Sequence, residues 1–524
     1  MATTSAAQRQ ELHKTIWRIA NDLRGSVDGW DFKSFVLGML FYRFISENLS
    51  SYVDQRQRSA GAADYSYAQE QREIPAPMRK MIIDAKGFFI EPADLFENVR
   101  ARARKPQEVH RLNEELARIF NNIEASAIGA SSESDLRGLF DDLDVNSPKL
   151  GDTVLKRNEK LAGLLDAIGA LPLGDPASDE SIDLFGDTYE YLMQMYASDA
   201  GKSGGEFFTP QEVSDLLARL AIGDKTRVES VYDPAAGSGS LLLRFAKVLG
   251  RKNVGMFEGQ EINLTTYNLC RINMFLHNIS FANFDIQLGD TLLDPKCAED
   301  AQFECIVSNP PYSLNWIGKD DPVLIQDERY APAGALAPKA KADLAFVMHM
   351  LYHLHPKGTA AIVAWPGVLY RSGAERKIRQ HLLENNYVEA IIQLPPNLFF
   401  GTPITTCIIV LKKSRDTPDV MFVDASKLFT REGTRNKLTE QHRQTILGAV
   451  SQRSEKPHFT ARVSPEAIAA NDYNFSVSAY VEKEDTREKV DIKELNARIA
   501  GIVERQSKLR AEIDAIVAEL EAEQ

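Results

Sequence analysis

Residues 228–312 constrain the fold of this chain more than any other stretch, because strands and helices alternate along them. An apolar run from Val228 to Asp233 is typical of a buried strand. It breaks into the turn Pro234-Ala-Ala-Gly-Ser-Gly-Ser240, and an apolar helix follows at once. A strand, a glycine turn and a helix N-terminus form the entry unit of a nucleotide-binding sheet, since glycines let backbone N–H groups approach a ligand closely.

The alternation continues toward the C-terminus. Further strands are predicted at 254–257, 284–288, 303–308, 359–365, 388–394 and 405–411, and helices at 263–277, 342–354 and 375–384. Strands that alternate with helices predict an α/β, Rossmann-like fold with a parallel, doubly wound sheet. Ligands of such sheets bind at the carboxyl edge of the strands.

Helical patterns flank this sheet on both sides. Apolar residues recur every three or four positions through much of 8–170, which predicts an all-helical N-terminal domain over 1–170. A linker rich in proline and glycine then leads into a sheet domain over 171–470. The tail, 471–524, is predicted to be helical with a coiled-coil-like seam that docks on a partner or folds back on the body. The seam consists of Ile492, Leu495, Ile499, Ile502, Gln506, Leu509, Ile513, Ile516 and Leu520.

Composition excludes several classes of protein. A net charge of −13 argues against a surface that grips nucleic acid as a whole, so any DNA contact is expected to be local or supplied by a partner. No stretch has the length and apolarity of a membrane helix or a signal peptide, which predicts a cytoplasmic protein without a membrane partner. The four cysteines are scattered, which disfavours disulfides and thiolate metal sites.

The polar residues at the strand ends suggest a ligand. A dinucleotide fingerprint would need a third glycine where Leu242 stands, so a nicotinamide cofactor is disfavoured. The turn instead places backbone N–H groups beside Asp233, which suits a ligand with both a carboxylate and a cation, such as the methionine part of S-adenosylmethionine. Glu261 is placed to accept from ribose hydroxyls and Asp290 from an adenine amino group, although both could simply cap helices.

The turn Asn309-Pro310-Pro311-Tyr312 carries the predicted chemistry. The amino nitrogen of adenine is a poor nucleophile because its lone pair is delocalised into the ring. The carboxamide oxygen of Asn309 and the carbonyl of Pro310 can accept its two N–H bonds and pull the nitrogen toward tetrahedral geometry. The prolines fix φ, and Tyr312 offers a ring on which an extruded base can stack.

Two other motifs carry less weight. Gly201-Lys202-Ser203 lacks the glycine that a P-loop needs at position 196, where Tyr stands, so no ATP motor is predicted. His349 and His353 lie four apart without a third ligand, which favours packed or solvent-facing histidines over zinc. No metal is expected.

The ordered motifs resemble those of the amino-group DNA methyltransferases. They are Glu206-Phe-Phe-Thr-Pro210, Asp233 to Ser240, Gly259-Gln-Glu261, Gly289-Asp-Thr291 and Asn309 to Tyr312. More closely, the whole chain resembles the modification (HsdM-family) subunit of type I restriction-modification systems. The segments Trp17 to Gly25 and Phe35 to Phe44 are similar to the helical N-terminal domain of that family, and Asp183 to Tyr191 is similar to the entry of its catalytic domain.

The resemblance implies a site-specific, S-adenosylmethionine-dependent methyltransferase that modifies N6 of adenine in double-stranded DNA. It implies two copies of the chain bound to one specificity subunit that reads the sequence, with a restriction and translocase subunit in the full complex. Phe399 or Phe400 is implied as the second stacking aromatic, although core packing is an equal alternative. The implied cofactor contacts are Glu206, Phe207, Phe208, Thr209, Pro210, Gln211, Gly237, Ser238, Gly239, Ser240, Glu261 and Asp290.

Two other functions remain open from the sequence. A protein glutamine N5-methyltransferase could use the same Asn-Pro-Pro-Tyr turn, although the helical flanks have no evident use in it. A non-catalytic scaffold of a DNA-binding complex is the other, against which the intact glycine turn and Asn309 stand. The long loop 313–341 is a candidate lid on the DNA side. A basic patch at Arg100, Arg102, Arg104 and Lys105 is either a solvated helix face or a phosphate contact.

Overall fold

A computed structural model describes residues 14–15, 31–105, 107–174, 184–193, 209–399, 403–433, 435–482 and 492–522. The chain divides into two compact units, Met1–Val481 and Glu482–Gln524. The first unit contains a helical part and a large sheet, and the described residues of the second form one helix, Ile492–Ala522. None of the helices in these ranges has the length and apolarity needed to cross a membrane.

The first described part of the chain is helical, as the spacing of apolar residues predicted. Its longest helix, α1 (Asp31–Ser59), is buried on every side over residues 35–46, so it is the central helix of this part. Shorter helices surround it. They are α2 (Ala76–Lys86), α3 (Phe96–Ala103), α4 (Leu112–Ser126), α5 (Glu133–Leu136) and α6 (Val154–Gly169), and a further helix, α7, at 184–193 leads toward the sheet.

The basic patch in α3 is neutralised within this helical part. Arg100 and Arg104 both pair with Asp166, at 3.0 and 2.7 Å, and Arg102 pairs with Glu115. Each of these three arginines already faces a carboxylate, which makes them less available to a phosphate.

A nine-stranded sheet follows, in the order β11-β8-β6-β7-β5-β4-β1-β2-β3. Its strands are β1 (Val228–Asp233), β2 (Val254–Glu261), β3 (Phe284–Leu288), β4 (Phe303–Ser308), β5 (Leu354–Ala364), β6 (Val388–Gln393), β7 (Cys407–Lys412), β8 (Val420–Asp424) and β11 (Thr460–Val463). The associated helices are α8 (Gln211–Ile222), α9 (Ser240–Leu249), α10 (Leu264–Leu276), α11 (Asp343–Tyr352), α12 (Ala374–Glu384), α13 (Glu440–Gln452) and α14 (Pro465–Ala470). A separate hairpin pairs β9 (Thr430–Glu432) with β10 (Arg435–Lys437).

The α/β class is confirmed, but the sheet is mixed rather than wholly parallel. Strand β7 runs antiparallel to both of its neighbours, β5 and β6, and β11 runs antiparallel to β8. Parallel neighbours need a crossover of a dozen or more residues, usually a helix. The described residues between β6 and β7 contain no helix, so the chain turns back there and inserts β7 in the opposite direction.

The strand order places a switch point between β1 and β4. From β1 the chain moves through β2 to β3 on one side of the sheet, and then β4 pairs with β1 on the other side. A crevice forms where the strand order reverses, beyond the carboxyl ends of the strands. The glycine turn after β1 and the Asn309 turn after β4 therefore meet, although 75 residues separate Asp233 from Ser308.

Arg271 on α10 joins the sheet to the helical part. Its side chain is buried, and its Nη1 donates to the backbone oxygens of Ser134, Asp135 and Arg137 at 3.0 to 3.1 Å. A nearby carboxylate, Asp142, accepts from two more side chains of α10. These polar contacts seat α10, which packs beside the glycine turn, against the helical part.

The segment 313–341, predicted as a lid, is folded on itself. Trp316 is buried against Tyr330, with ring centroids 5.6 Å apart, and its Nε1 donates to the oxygen of Pro338 at 3.1 Å. Lys339, which was expected on the DNA side, forms an ion pair with Asp320. This segment therefore has a small core of its own instead of an open loop.

The second unit is the helix α15 (Ile492–Ala522), in which none of the side chains is buried. The apolar seam predicted from the heptad spacing lies along it, and its isoleucine and leucine side chains are 44 to 70% exposed. An exposed apolar stripe of this length is typical of a helix that packs against another chain.

Candidate functional site

Asp233, the last residue of β1, joins the two strands on either side of the switch point. Its Oδ1 accepts from the Ser308 hydroxyl at 2.9 Å and from the Ala235 N–H at 3.0 Å. Burial raises the pKa of this carboxyl to about 7, because the ionised form loses its hydration. Among the residues that the structure describes, none donates to its buried Oδ2, so this oxygen can accept from a ligand beside the turn.

The glycine turn after β1 adopts backbone conformations that favour glycine. Gly237 and Gly239 have φ of +55° and +77°, which L side chains rarely adopt. A Cβ on Gly239 would also lie 2.8 Å from the Cys270 sulfur. The turn therefore packs tightly against α10, and α9 begins directly after it at Ser240.

Glu261, at the end of β2, lies beside this turn. Its Oε2 accepts from the Gly237 N–H at 3.0 Å, and its Oε1 accepts from the Asn263 N–H at 2.9 Å. Burial raises its pKa. The start of α10 is capped by the Asn263 side chain, which accepts from the Thr266 N–H, so helix capping does not explain Glu261.

Asp290 has a structural task in the same crevice. Its Oδ1 accepts from the backbone N–H groups of Leu292 and Leu293, at 2.9 and 3.3 Å, and so closes a tight turn after β3. One oxygen of Asp290 therefore has the capping role that the sequence left open as an alternative to cofactor binding. The turn is held further by Thr291, whose hydroxyl donates to the Pro234 oxygen at 2.6 Å.

Both ends of the Asn309 carboxamide are hydrogen-bonded. Its Nδ2 donates to the Thr209 hydroxyl at 3.0 Å, and its Oδ1 accepts from the Tyr312 hydroxyl at 2.7 Å. Thr209 and Pro210 are buried and directly precede α8. Residues 209 and 309 therefore meet at the crevice, although the chain places them 100 residues apart.

The aromatic ring of Tyr312 stands edge-on to Phe399. Their ring centroids are 6.3 Å apart, and the ring planes make an angle of 83°. Phe399 is buried, so it packs in the core and also forms one wall beside Tyr312. Burial first, and then Cys407 and Asp343, raise the pKa of Tyr312 well above its usual value, so its hydroxyl stays protonated and donates.

Some of the predicted site residues fall outside the described ranges. They are Glu206, Phe207, Phe208 and Phe400. Gln211, the last residue of the predicted cofactor segment, is described, and its Nε2 donates to Glu190 on α7 at 2.6 Å. Glu190 is buried, and Arg244 and Lys247 of α9 hold its pKa down at about 2 against burial.

The sequence analysis missed three residues that support the crevice. Glu190 accepts from Gln211, and Asp343 accepts from the Ser313 N–H at 3.2 Å, directly after Tyr312. Arg329 is buried in the segment 313–341 and donates to the oxygens of Thr291 and Leu292, at 2.9 and 3.0 Å. No local pattern indicates Arg329, since its partners lie 37 and 38 residues away.

The histidines on α11 pack inside the protein. His349 is buried, its Nε2 lies 3.0 Å from the Tyr232 hydroxyl, and its Nδ1 lies 3.2 Å from Arg329. Burial keeps its pKa well below the usual value, so it is neutral. Within the residues that the structure describes, no group of three or more His, Cys, Asp or Glu side chains is arranged to hold a metal ion.

Two family models match the chain, "N-6 DNA Methylase" over residues 180–489 and "HsdM N-terminal domain" over residues 12–168. The type I restriction enzyme MpnII methylase subunit of Mycoplasma pneumoniae is 47% identical to it, over 98% of this chain and 97% of that protein. The MjaIX methylase subunit of Methanocaldococcus jannaschii is 25% identical, over 97% and 91% of the two chains.

Solved structures agree with these relatives. The type I restriction-modification system methyltransferase subunit from Streptococcus thermophilus matches with a TM-score of 0.82 and 35% identity, over 90% of this chain and 100% of that one. A modification subunit of a putative type I restriction enzyme from Vibrio vulnificus shares the fold, with a TM-score of 0.57 and 18% identity over 88% and 93% of the chains.

Proposed function

Because the chain belongs to the methylase subunits of type I restriction enzymes, within the N-6 DNA methylase family, we propose that the crevice between β1 and β4 is its methylation site. The protein is a DNA methyltransferase subunit that modifies adenine at N6, as the resemblance implied. The protein glutamine methyltransferase and the non-catalytic scaffold gain no support from the comparisons. The observation that carries the assignment of the site is the meeting of Asp233, Thr209 and Asn309 at one sheet edge.

S-adenosylmethionine is the methyl donor that these residues fit. A Cβ on Gly239 would clash with Cys270, and within the described ranges no donor reaches the buried Oδ2 of Asp233. Such a site suits a ligand that carries both an ammonium and a carboxylate. When bound, this cofactor supplies a methyl group that its sulfonium already activates.

The remaining proposed cofactor contacts follow the sequence prediction. Glu261 accepts from ribose hydroxyls with the lone pairs that Gly237 and Asn263 leave free, and Asp290 accepts from the adenine amino group with its second oxygen. The other contacts are Gly237, Ser238, Gly239 and Ser240 of the turn, and Glu206, Phe207, Phe208, Pro210 and Gln211 of the preceding segment.

The Asn309 turn binds the amino group of the target adenine. The Asn309 Oδ1 and the Pro310 carbonyl accept its two N–H bonds, and Pro311 keeps the turn rigid. In the protein without DNA the Tyr312 hydroxyl occupies that Oδ1, so the incoming amino group displaces a neutral hydrogen bond. No strong base is required, because the bound sulfonium would already activate the methyl group: as the S–CH3 bond breaks and the N–CH3 bond forms, a neutral thioether would leave and the nitrogen would give its surplus proton to water.

Tyr312 and Phe399 hold the base that is turned out of the duplex. Their perpendicular rings give the base one face to stack on and one edge to contact. Stacking on one aromatic ring stabilises an extruded base by roughly 1–3 kcal/mol, which offsets part of the cost of unstacking it from the duplex.

The assembly follows the resemblance. Two copies of the chain bind one specificity subunit through the exposed seam of α15, and a restriction and translocase subunit joins the full complex in the cytoplasm. A partner that supplies sequence reading explains how a chain of net charge −13 acts on DNA. The domains are proposed as 1–170 (helical), 171–470 (methyltransferase) and 471–524 (docking tail).

Labelled methyl transfer tests the proposed site. The complex of this chain with its specificity subunit is incubated with labelled S-adenosylmethionine and DNA, and the modified base is identified as N6-methyladenine. Asn309→Ala should lower kcat by roughly a hundredfold or more and leave cofactor affinity unchanged, since it removes the acceptor for the amino group. Retained transfer by this variant would overturn the assignment of Asn309, and label on protein instead of DNA would revive the glutamine alternative.

A further inference from the structure

We infer that Thr209 is a positioning residue for methyl transfer, which turns the Asn309 carboxamide so that its oxygen faces the target amino group. This inference rests on the proposed function of Asn309. It gives Thr209 a task different from the cofactor contact predicted from the sequence, because its hydroxyl faces the catalytic turn.

Thr209 lies against the amide nitrogen of Asn309, where a hydrogen bond fixes the orientation of the carboxamide. Its Oγ1 lies 3.0 Å from the Asn309 Nδ2, and the residue is only 5% exposed, so water does not substitute for it readily. Pro210 follows at once and starts α8, and the Ser214 hydroxyl also ties the backbone oxygen of Pro210 to that helix. The hydroxyl of Thr209 is thus held by the rigid start of a helix.

A carboxamide needs such a partner because its two ends look alike in shape and differ in chemistry. The oxygen accepts hydrogen bonds and the nitrogen donates them. If the group rotated by 180°, an N–H would face the adenine amino group and two donors would meet. The rotated form would therefore repel the substrate instead of binding it.

The two hydroxyls at Asn309 select one orientation. A phenol is a stronger donor and a weaker acceptor than an alcohol, since its lone pair is delocalised into the ring. Tyr312 therefore donates to Oδ1, and the alcohol of Thr209 accepts from Nδ2. When adenine displaces the Tyr312 hydroxyl, Thr209 continues to hold the nitrogen, and the oxygen stays directed at the substrate.

Two substitutions at this position separate the hydroxyl from the shape of the side chain. Thr209→Val keeps the shape and removes the acceptor, and Thr209→Ser keeps the acceptor. With the complete complex, S-adenosylmethionine and DNA, we expect Thr209→Val to lower kcat by roughly ten- to hundredfold and Thr209→Ser to restore it to within a few-fold of the unaltered protein. The cofactor Kd and the KM for DNA should change by less than about threefold in both variants.

A second background tests whether Thr209 acts through Asn309. In Asn309→Asp the two ends of the side chain are both oxygens, so rotation no longer matters. Thr209→Val should then lower the remaining rate by less than about threefold, compared with the ten- to hundredfold drop beside Asn309. The rates of Asn309→Asp and of the double variant Asn309→Asp, Thr209→Val are compared by single-turnover methyl transfer, which can measure slow reactions.

The outcomes are distinct. A weaker cofactor Kd with unchanged kcat in Thr209→Val would show a cofactor ligand and overturn the inference, as would no change at all or a Thr209→Ser variant as slow as Thr209→Val. The inference would also be overturned if Thr209→Val lowered the rate by the same factor beside Asn309 and in the Asn309→Asp background. If the unaltered complex does not methylate adenine in DNA, the proposed function itself fails, which is a different result from any of these.

Discussion

At the scale of single residues, Asp233 is the group that joins the two turns of the site. It ends β1, accepts from Ser308 at the end of β4, and lies beside the glycine turn. Because it is completely buried and its pKa is about 7, the folded protein holds its proton more tightly than the unfolded chain does. A residue of the site therefore makes the stability of the protein depend on pH.

This dependence can be measured. A carboxyl whose folded pKa is raised stabilises the fold below its unfolded pKa, and that contribution is lost as the pH rises through about 7. Asp233→Asn cannot ionise and keeps an oxygen that accepts from Ser308. The unaltered protein should therefore lose stability between pH 4 and pH 8 relative to this variant. The difference between their free energies of unfolding should change in favour of the variant by up to roughly 4 kcal/mol.

Chemical denaturation at pH 5 and pH 8 checks the change, without cofactor. Asp224→Asn is the control, because it removes an exposed carboxylate just after α8. The change in the free energy of unfolding between pH 5 and pH 8 should be the same in this variant as in the unaltered protein. A constant difference between Asp233→Asn and the unaltered protein across this range would contradict the expected role of burial.

At the scale of elements, the segment 313–341 supports the cofactor side of the crevice. Arg329 is 6% exposed, binds both oxygens of Asp327, and donates to the backbone oxygens that follow Asp290. A planar guanidinium can serve these directions at once, which a lysine cannot. The segment predicted as a lid therefore also packs as a support against the Asp290 turn.

Removing this guanidinium should loosen the turn. We expect Arg329→Ala to destabilise the fold by on the order of 3 kcal/mol, since it removes the guanidinium that binds the Asp327 carboxylate and the Thr291 and Leu292 carbonyls, and to weaken cofactor affinity about tenfold or more. Arg329→Lys should be intermediate. Thermal unfolding and calorimetric titration with S-adenosylmethionine measure the two effects.

Lys319→Ala is the matched control on the same segment, because Lys319 is exposed, and it should bind cofactor as the unaltered protein does. If Arg329→Ala lowered stability but left cofactor affinity unchanged, the segment would be a support of the fold and not of the Asp290 turn.

At the scale of the whole molecule, the chain is two units of different character. The first buries its apolar residues in two cores, and the second exposes a seam of isoleucine and leucine along one helix. Such a seam costs free energy in water and is stabilised when another helix covers it. The second unit is therefore suited to assembly rather than to chemistry.

Charges placed on the seam should separate assembly from cofactor binding. We expect Ile502→Asp and Ile513→Asp together to weaken binding of the specificity subunit by at least about a hundredfold, because they bury two unpaired carboxylates in the interface. Methylation of DNA should fall together with the affinity for the specificity subunit, whereas the affinity for S-adenosylmethionine should stay unchanged. Analytical size-exclusion and cofactor titration measure both.

Ala511→Asp adds the same charge on the same helix but away from the seam, and it should leave the complex intact. Retention of the specificity subunit by the double seam variant would show that docking uses another surface.

The fold class was readable from the sequence because its signals are local, and the motifs from which the candidate site was predicted are local too. A glycine that must adopt a positive φ, prolines that fix a turn, and apolar spacing that distinguishes strand from helix all lie within a few residues. The helical flanks and the heptad seam followed from the same kind of pattern. Local chemistry was therefore enough to indicate adenine, a sulfonium donor and the Asn309 turn.

What only the tertiary structure decided is which distant residues touch. The reversal of β7, the order of β4 beside β1, and the contacts of Thr209 with Asn309 and of Arg329 with Thr291 depend on how strands pair across the sheet. Pairing is set by packing and chain connection over tens of residues, and a single sequence carries no local signal of it. The sequence thus determined the groups that we propose do the chemistry, and the folded chain determined the partners that orient them.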